Sequence, residues 1–133
     1  MMVERKQRRR RSDRPHPEEA LLNAVLTYLA EALPNTAFFC VFPEAARAFF
    51  HGLSLRELGP RTGFPKLLVL YEGHAFCIEL KADARLLEPS KRDCYAALQD
   101  ARVPVTVARS LSDVQRFLSG ECALPMRKCR SVA

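Results

Sequence analysis

The sequence predicts an α/β domain, a mixed sheet of about four strands flanked by helices. Three observations carry this reading. Lys66–Tyr71 (KLLVLY) and Ala75–Lys81 (AFCIELK) are two β-rich runs separated by a short turn containing Gly73, the pattern of an antiparallel hairpin. A helix opened by Pro89 and the β-branched run Val103–Ala108 follow, a spacing that permits a parallel crossover. Ahead of the hairpin, Leu22, Val25, Leu26, Leu29 and Leu33 repeat at helical spacing and Ala37–Phe42 reads as a strand. The chain has 133 residues, which suits one core.

The elements follow in order. A helix spans about 17–33, starting at Pro17 with two acids and ending before Pro34-Asn35. Pro43 closes the first strand. Residues 44–64 form a long connection with short helical pieces, at Glu44–Phe50 and at Ser54–Glu57, where Ser54 and Glu57 have capping-box spacing. After the hairpin, Tyr95, Leu98 and Ala101 repeat along the Pro89 helix as far as about Arg102. Ser112-Asp113-Val114-Gln115 has capping-box spacing for a last helix that carries Val114, Phe117 and Leu118 and ends at Gly120. This divides the chain into a basic arm over 1–16, a domain over 17–120 and a tail over 121–133.

Charge is unevenly placed. The formal +6 has seven cations and two acids within residues 1–14, leaving 14 cations and 13 acids for the rest. A basic arm on a near-neutral body suits a polyanion, because clustered cations gain most by displacing counterions from phosphates. Arg8, Arg9, Arg10 and Arg11 lead it. Pro15-His16-Pro17-Glu18-Glu19 puts acids where the apolar part of an export signal would begin, and no apolar run is long enough to span a bilayer, so no membrane partner is expected. Five cysteines without a C-x-x-C pair argue against a disulfide framework and a zinc site, and place the protein in the reducing cytoplasm. Cys40, Cys77 and Cys94 read as small core hydrophobes. His16, His51 and His74 have no ligand spacing, and Phe38, Phe39, Phe49 and Phe50 read as core.

Chemistry concentrates on the second hairpin strand. Residues two apart share a face, so Cys77, Glu79 and Lys81 leave one side and Phe76, Ile78 and Leu80 the other. A carboxylate beside an ammonium can hold a hard cation and orient a water next to a phosphate. The bland alternative is an ion pair on a half-exposed strand.

Context extends the pattern. Gly63-Phe64-Pro65-Lys66-Leu67-Leu68, a hairpin, Ile78-Glu79-Leu80-Lys81, Arg85-Leu86, the Pro89 helix and Pro104-Val105-Thr106-Val107-Ala108-Arg109 stand in that order. Over about residues 17–119 this resembles the PD-(D/E)XK nucleases, in particular their VRR-NUC branch, with its G-x-P-D-L-L, I-E-L-K, G-R-L-S-P-x-Q and P-V-x-V-x-R segments. The resemblance implies a restriction-endonuclease-like core and a homodimer. It also implies hydrolysis of phosphodiesters with Mg2+ or Mn2+ in branched or junction-like DNA, in the setting of DNA repair. It assigns catalytic positions to Glu79 and Lys81, metal ligation to Glu79 and a first-helix acid, Glu19 or Glu18, and phosphate contacts to Arg85, Lys66 and Lys91. Two positions depart from the pattern: Lys66 stands at the family's metal-binding Asp and Lys91 at its Gln. An ammonium repels a divalent ion, so activity is expected to be impaired, with Lys66 neutralising Glu79 across the strands and Glu72 or Asp83 as substitute acids. The alternatives are a DNA-binding module that keeps the nuclease fold without cleavage, and a protein-interaction role in which the arm only solubilises.

Overall fold

The computed structural model of the chain describes residues 16–42, 63–83 and 86–129. The basic arm with Arg8–Arg11, the helical pieces within 44–62 with His51, Phe49 and Phe50, and Arg85 lie outside the described residues.

Pro17 opens helix α1 (Pro17–Ala32) at a position where its missing N–H costs nothing, and Glu18 and Glu19 in the first turn complement the helix dipole. The helix stops where Leu33 turns extended ahead of Pro34. The apolar stripe of the sequence becomes its buried side, with Val25, Leu29 and Ala32 fully inaccessible. Strands β1 (Phe38–Val41), β2 (Leu67–Tyr71) and β3 (His74–Leu80), helix α2 (Pro89–Asp100) and strand β4 (Val105–Ala108) follow. The sheet order is β1-β2-β3-β4. The first two pairings are antiparallel, while β4 joins β3 in parallel after the α2 crossover.

The hairpin turn has a local cause. Tyr71 pairs with His74, so only Glu72 and Gly73 connect the strands, and both have positive φ (48° and 78°). That is the primed turn whose twist matches the flanking strands. The register places Leu67 beside Ile78 and Val69 beside Phe76 on one face, where they meet α1 and Val114, Phe117 and Leu118 in the core. Leu68 lies beside Cys77 on the other face. Because α2 brings Cys94 and Tyr95 to that face, β3 is buried on both sides from Phe76 to Leu80. The sequence pattern accounted for one buried face.

Three expectations need correction. Helix α3 (Leu111–Gln115) starts one residue before Ser112: its cap is Ser110, whose hydroxyl accepts from the Asp113 N–H at 3.2 Å, and Asp113 reaches back to the Arg109 N–H at 2.9 Å. The capping serine is therefore three residues before Asp113. Cys77 and Cys94 are buried, but Cys40 is exposed, as is Phe38 at 68%. Both residues lie on the β1 face opposite the core, and alternation along the strand turns only Phe39 and Val41 inward. A wide helical turn, Arg116–Glu121, continues α3. After it, residues that show no period in sequence pack back on the core. Leu124 is buried, the Arg127 N–H bonds the Ala32 carbonyl at 2.7 Å, and the Arg127 guanidinium bonds the Leu33 carbonyl at 2.9 Å. This segment satisfies C-terminal carbonyls of α1.

The Asp113 bond carries a pH signature. The Arg109 N–H, foremost, and the adjacent Arg116 hold its carboxyl below the ordinary range. A depressed carboxyl contributes stability that is complete above its unfolded pKa, near 3.9, and is lost as pH falls through the lower folded value. Thermal melts between pH 7 and pH 2 should therefore show less acid destabilisation in Asp113→Asn than in the unaltered chain. The variant should also be slightly less stable at pH 7.

Candidate functional site

The parallel and antiparallel pairings deliver Glu79 to the end of β3 where the sheet meets α1 and α2. Glu79 pairs with Val107 on β4, and one step beyond the last β2–β3 pair (Leu67 with Ile78) the register puts Lys66 opposite it. The first turn of α1 closes one side with His16, Glu18, Glu19 and Leu22. The first turn of α2 closes another with Glu88 and Lys91. The result is a cleft of about 410 Å³ that also takes in Leu80 and Lys81.

Among the described residues Glu79 is the buried charged one, at 3% exposure, and its two oxygens have separate partners. Oε1 accepts the Leu80 N–H at 3.2 Å, and Oε2 accepts the Lys91 Nζ at 2.9 Å. The pair is shielded from water, with side-chain exposures of 16% for Lys91 and 4% for Glu79. Lys91 therefore neutralises Glu79, where the sequence reading gave that part to Lys66. The reason is direction: α2 packs on the Cys77–Glu79 face and points its first turn at the carboxylate, whereas Lys66 lines the cleft with no ion pair among the described residues. Tyr95, one helical turn beyond Lys91, lies on the same side of α2. Its buried hydroxyl has no partner among the described residues, and burial, reinforced by the charge of Glu79, pushes its pKa up. The phenol stays neutral. Burial also pushes the Cys77 thiol up to about 11, with Cys94 adding to it, so Cys77 does not act as a thiolate nucleophile.

The cleft lining brings together Glu79, Lys81, Lys66, Lys91, Glu19 and Glu18, and adds Glu88, Leu22 and His16, the last of which the sequence reading set aside for want of ligand spacing. Glu88 precedes the proline that opens α2, a place with no chemical signature of its own. Glu72 sits in the turn at the far end of the hairpin, and Asp83 is outside the cleft lining, where its carbonyl accepts from the Arg109 guanidinium. Neither lines the cleft.

The divalent ion that the resemblance implies does not fit these side chains. Among the described residues an ammonium already occupies the one buried carboxylate, and no three His, Cys, Asp or Glu side chains group as metal ligands. Three lysines and four glutamates line the cleft, so once Glu79 and Lys91 cancel, two lysines face three glutamates. The cleft alone thus does not concentrate a polyanion. No helix among the described residues is long and apolar enough to cross a membrane.

Comparison with known proteins supports the architecture. No family profile and no curated protein matches the sequence. A solved structure named a VRR_NUC domain protein matches 84% of this chain and 92% of its own, with a TM-score of 0.61 at 18% identity. The fold is the restriction-endonuclease-like VRR-NUC fold.

Proposed function

We propose that this protein is a DNA-binding member of the VRR-NUC nucleases whose nuclease cleft is impaired for metal-dependent cleavage. The Lys91–Glu79 pair at 2.9 Å carries the reading, because it places an ammonium on the carboxylate that the family pattern gives to the metal. The fold match and the order of the motif segments support the family. DNA as partner is supported by the same likeness and by the arm: the cleft has no excess of cations, whereas residues 1–14 hold seven. In this division of labour the arm gathers the phosphates and the cleft, with Lys66 and Lys81 at its lining, receives the strand. Branched or junction-like DNA, a role in repair and action as a homodimer are further parts of the proposal, and they rest on the family resemblance.

Affinity for duplex and four-way DNA, measured across a salt series on the full chain and on a variant with Arg8, Arg9, Arg10 and Arg11 changed to Gln, tests this. Each phosphate contact contributes a slope of about −0.9 in log affinity against log salt, so losing the four arginines should flatten the slope by roughly 2 to 4. An unchanged slope would take the arm out of the interface. No DNA binding at low salt would defeat the reading.

A further inference from the structure

We propose that the Lys91 ammonium is the resident cation of the cleft, a built-in replacement for a divalent ion, so that the folded site neither needs nor admits one. This rests on the reading of the cleft as impaired and deepens it, and it is independent of DNA binding. A lysine in the first turn of a helix is disfavoured by the positive end of the dipole, and Glu88, the acid at the N-cap of α2, makes no side-chain cap bond there. Glu79 supplies that offset from β3. The carboxylate in turn is buried, where an unpartnered charge is costly, and its backbone contact from Leu80 satisfies only one oxygen. Each group thus needs the other.

The position of Lys91 is fixed from two sides. Gly63 brings the loop before β2 so close that a Cβ there would lie 2.6 Å from the Ser90 carbonyl oxygen and 2.9 Å from the Lys91 nitrogen. This close packing holds the first turn of α2 in place. One turn on, Cys94 and Tyr95 are packed into the face that Glu79 shares. Tyr95 is neutral, so the charges at Glu79 are one carboxylate and one ammonium, in balance. A divalent ion entering here would have to displace an ammonium held by the packed first turn of α2, and would meet Lys66 and Lys81 as well as Glu18, Glu19 and Glu88.

The test uses the full chain and Mn2+ as the probe. Urea unfolding is followed for the unaltered protein, Lys91→Met, Glu79→Gln and the Glu79→Gln/Lys91→Met double variant, each with chelator and with millimolar Mn2+. Lys91→Met should lower the urea midpoint by about 1 to 2 M, because it strands a buried carboxylate, and the double variant should recover most of that loss. The midpoint of the unaltered protein should not move with Mn2+. In its NMR spectrum, Mn2+ should leave the Leu80 amide, which touches Glu79, unbroadened. Broadening of that amide, a Mn2+-dependent rise in the unaltered protein's midpoint, or simply additive effects of the two single changes would overturn the proposal. The amide measurement decides the matter should Lys91→Met fail to fold. None of these readouts involves DNA, so they stand or fall separately from the DNA-binding reading.

Discussion

Gly63→Ala should destabilise the protein by about 3 kcal/mol, the sum of a left-handed backbone penalty and a steric one. Gly63 has φ +88°, and its Cβ would sit 2.6 Å from the Ser90 oxygen and 2.7 Å from the Ser90 carbon. Both are backbone atoms in the first turn of α2, so no rotamer change can relieve the contact. The loop or the helix must move, and either shift separates Lys91 from Glu79. Gly73→Ala is an internal control: its φ of +78° is similar, but nothing lies within 4 Å of the added carbon. It should cost only the backbone term, about 1 to 2 kcal/mol. Urea unfolding of the two variants checks the difference, and equal losses would show that the approach to Ser90 is not tight. A shifted Leu80 amide resonance in Gly63→Ala alone would connect the loop to the ion pair.

The sequence announced Gly63 only as part of a motif, while its physical role required a helix that lies 27 residues further on. This distinction separates what was legible from what was not. The hairpin was legible because alternation and a glycine turn are local, and so was the parallel return of β4, since the Pro89 helix stands between two β-rich runs. Glu79 and Lys81 were legible as neighbours on one strand face by spacing, and the family resemblance added Lys66 and Lys91. Their pairing was not: register put Lys66 opposite Glu79, but the packing angle of α2 decided that Lys91 reaches the carboxylate first. The role of 122–129 was hidden because irregular chain has no period, yet Leu124 enters the core through tertiary contacts alone. Phe38 misled in the other direction, since an aromatic pair on a four-residue strand must place one ring on each face.

Lys66→Asp alone should raise Mn2+ affinity by less than about tenfold, whereas Lys66→Asp combined with Lys91→Gln should raise it by about a hundredfold or more. The single change adds a hard oxygen donor and removes one ammonium from the cleft, but leaves Oε2 of Glu79 bonded to Lys91 at 2.9 Å. A second ligand beside an occupied one does not make a chelate. Replacing Lys91 frees Glu79, and the two changes together turn a site of one carboxylate and two nearby ammonium groups into one of two carboxylates. Unit charges 4 Å apart interact by about 4 kcal/mol at an effective dielectric of 20, and each 1.4 kcal/mol is tenfold in affinity, so a hundredfold gain asks for less than that one interaction. Glu19 and Glu18 line the same cleft from α1. Calorimetric titration of the single and double variants with Mn2+ measures the effect, and a parallel assay on duplex and four-way DNA should find metal-dependent cleavage only in the double variant. A full gain from Lys66→Asp alone would mean that Lys91 yields its place to the metal. No gain from the double variant would mean that the cleft has lost more than these two positions.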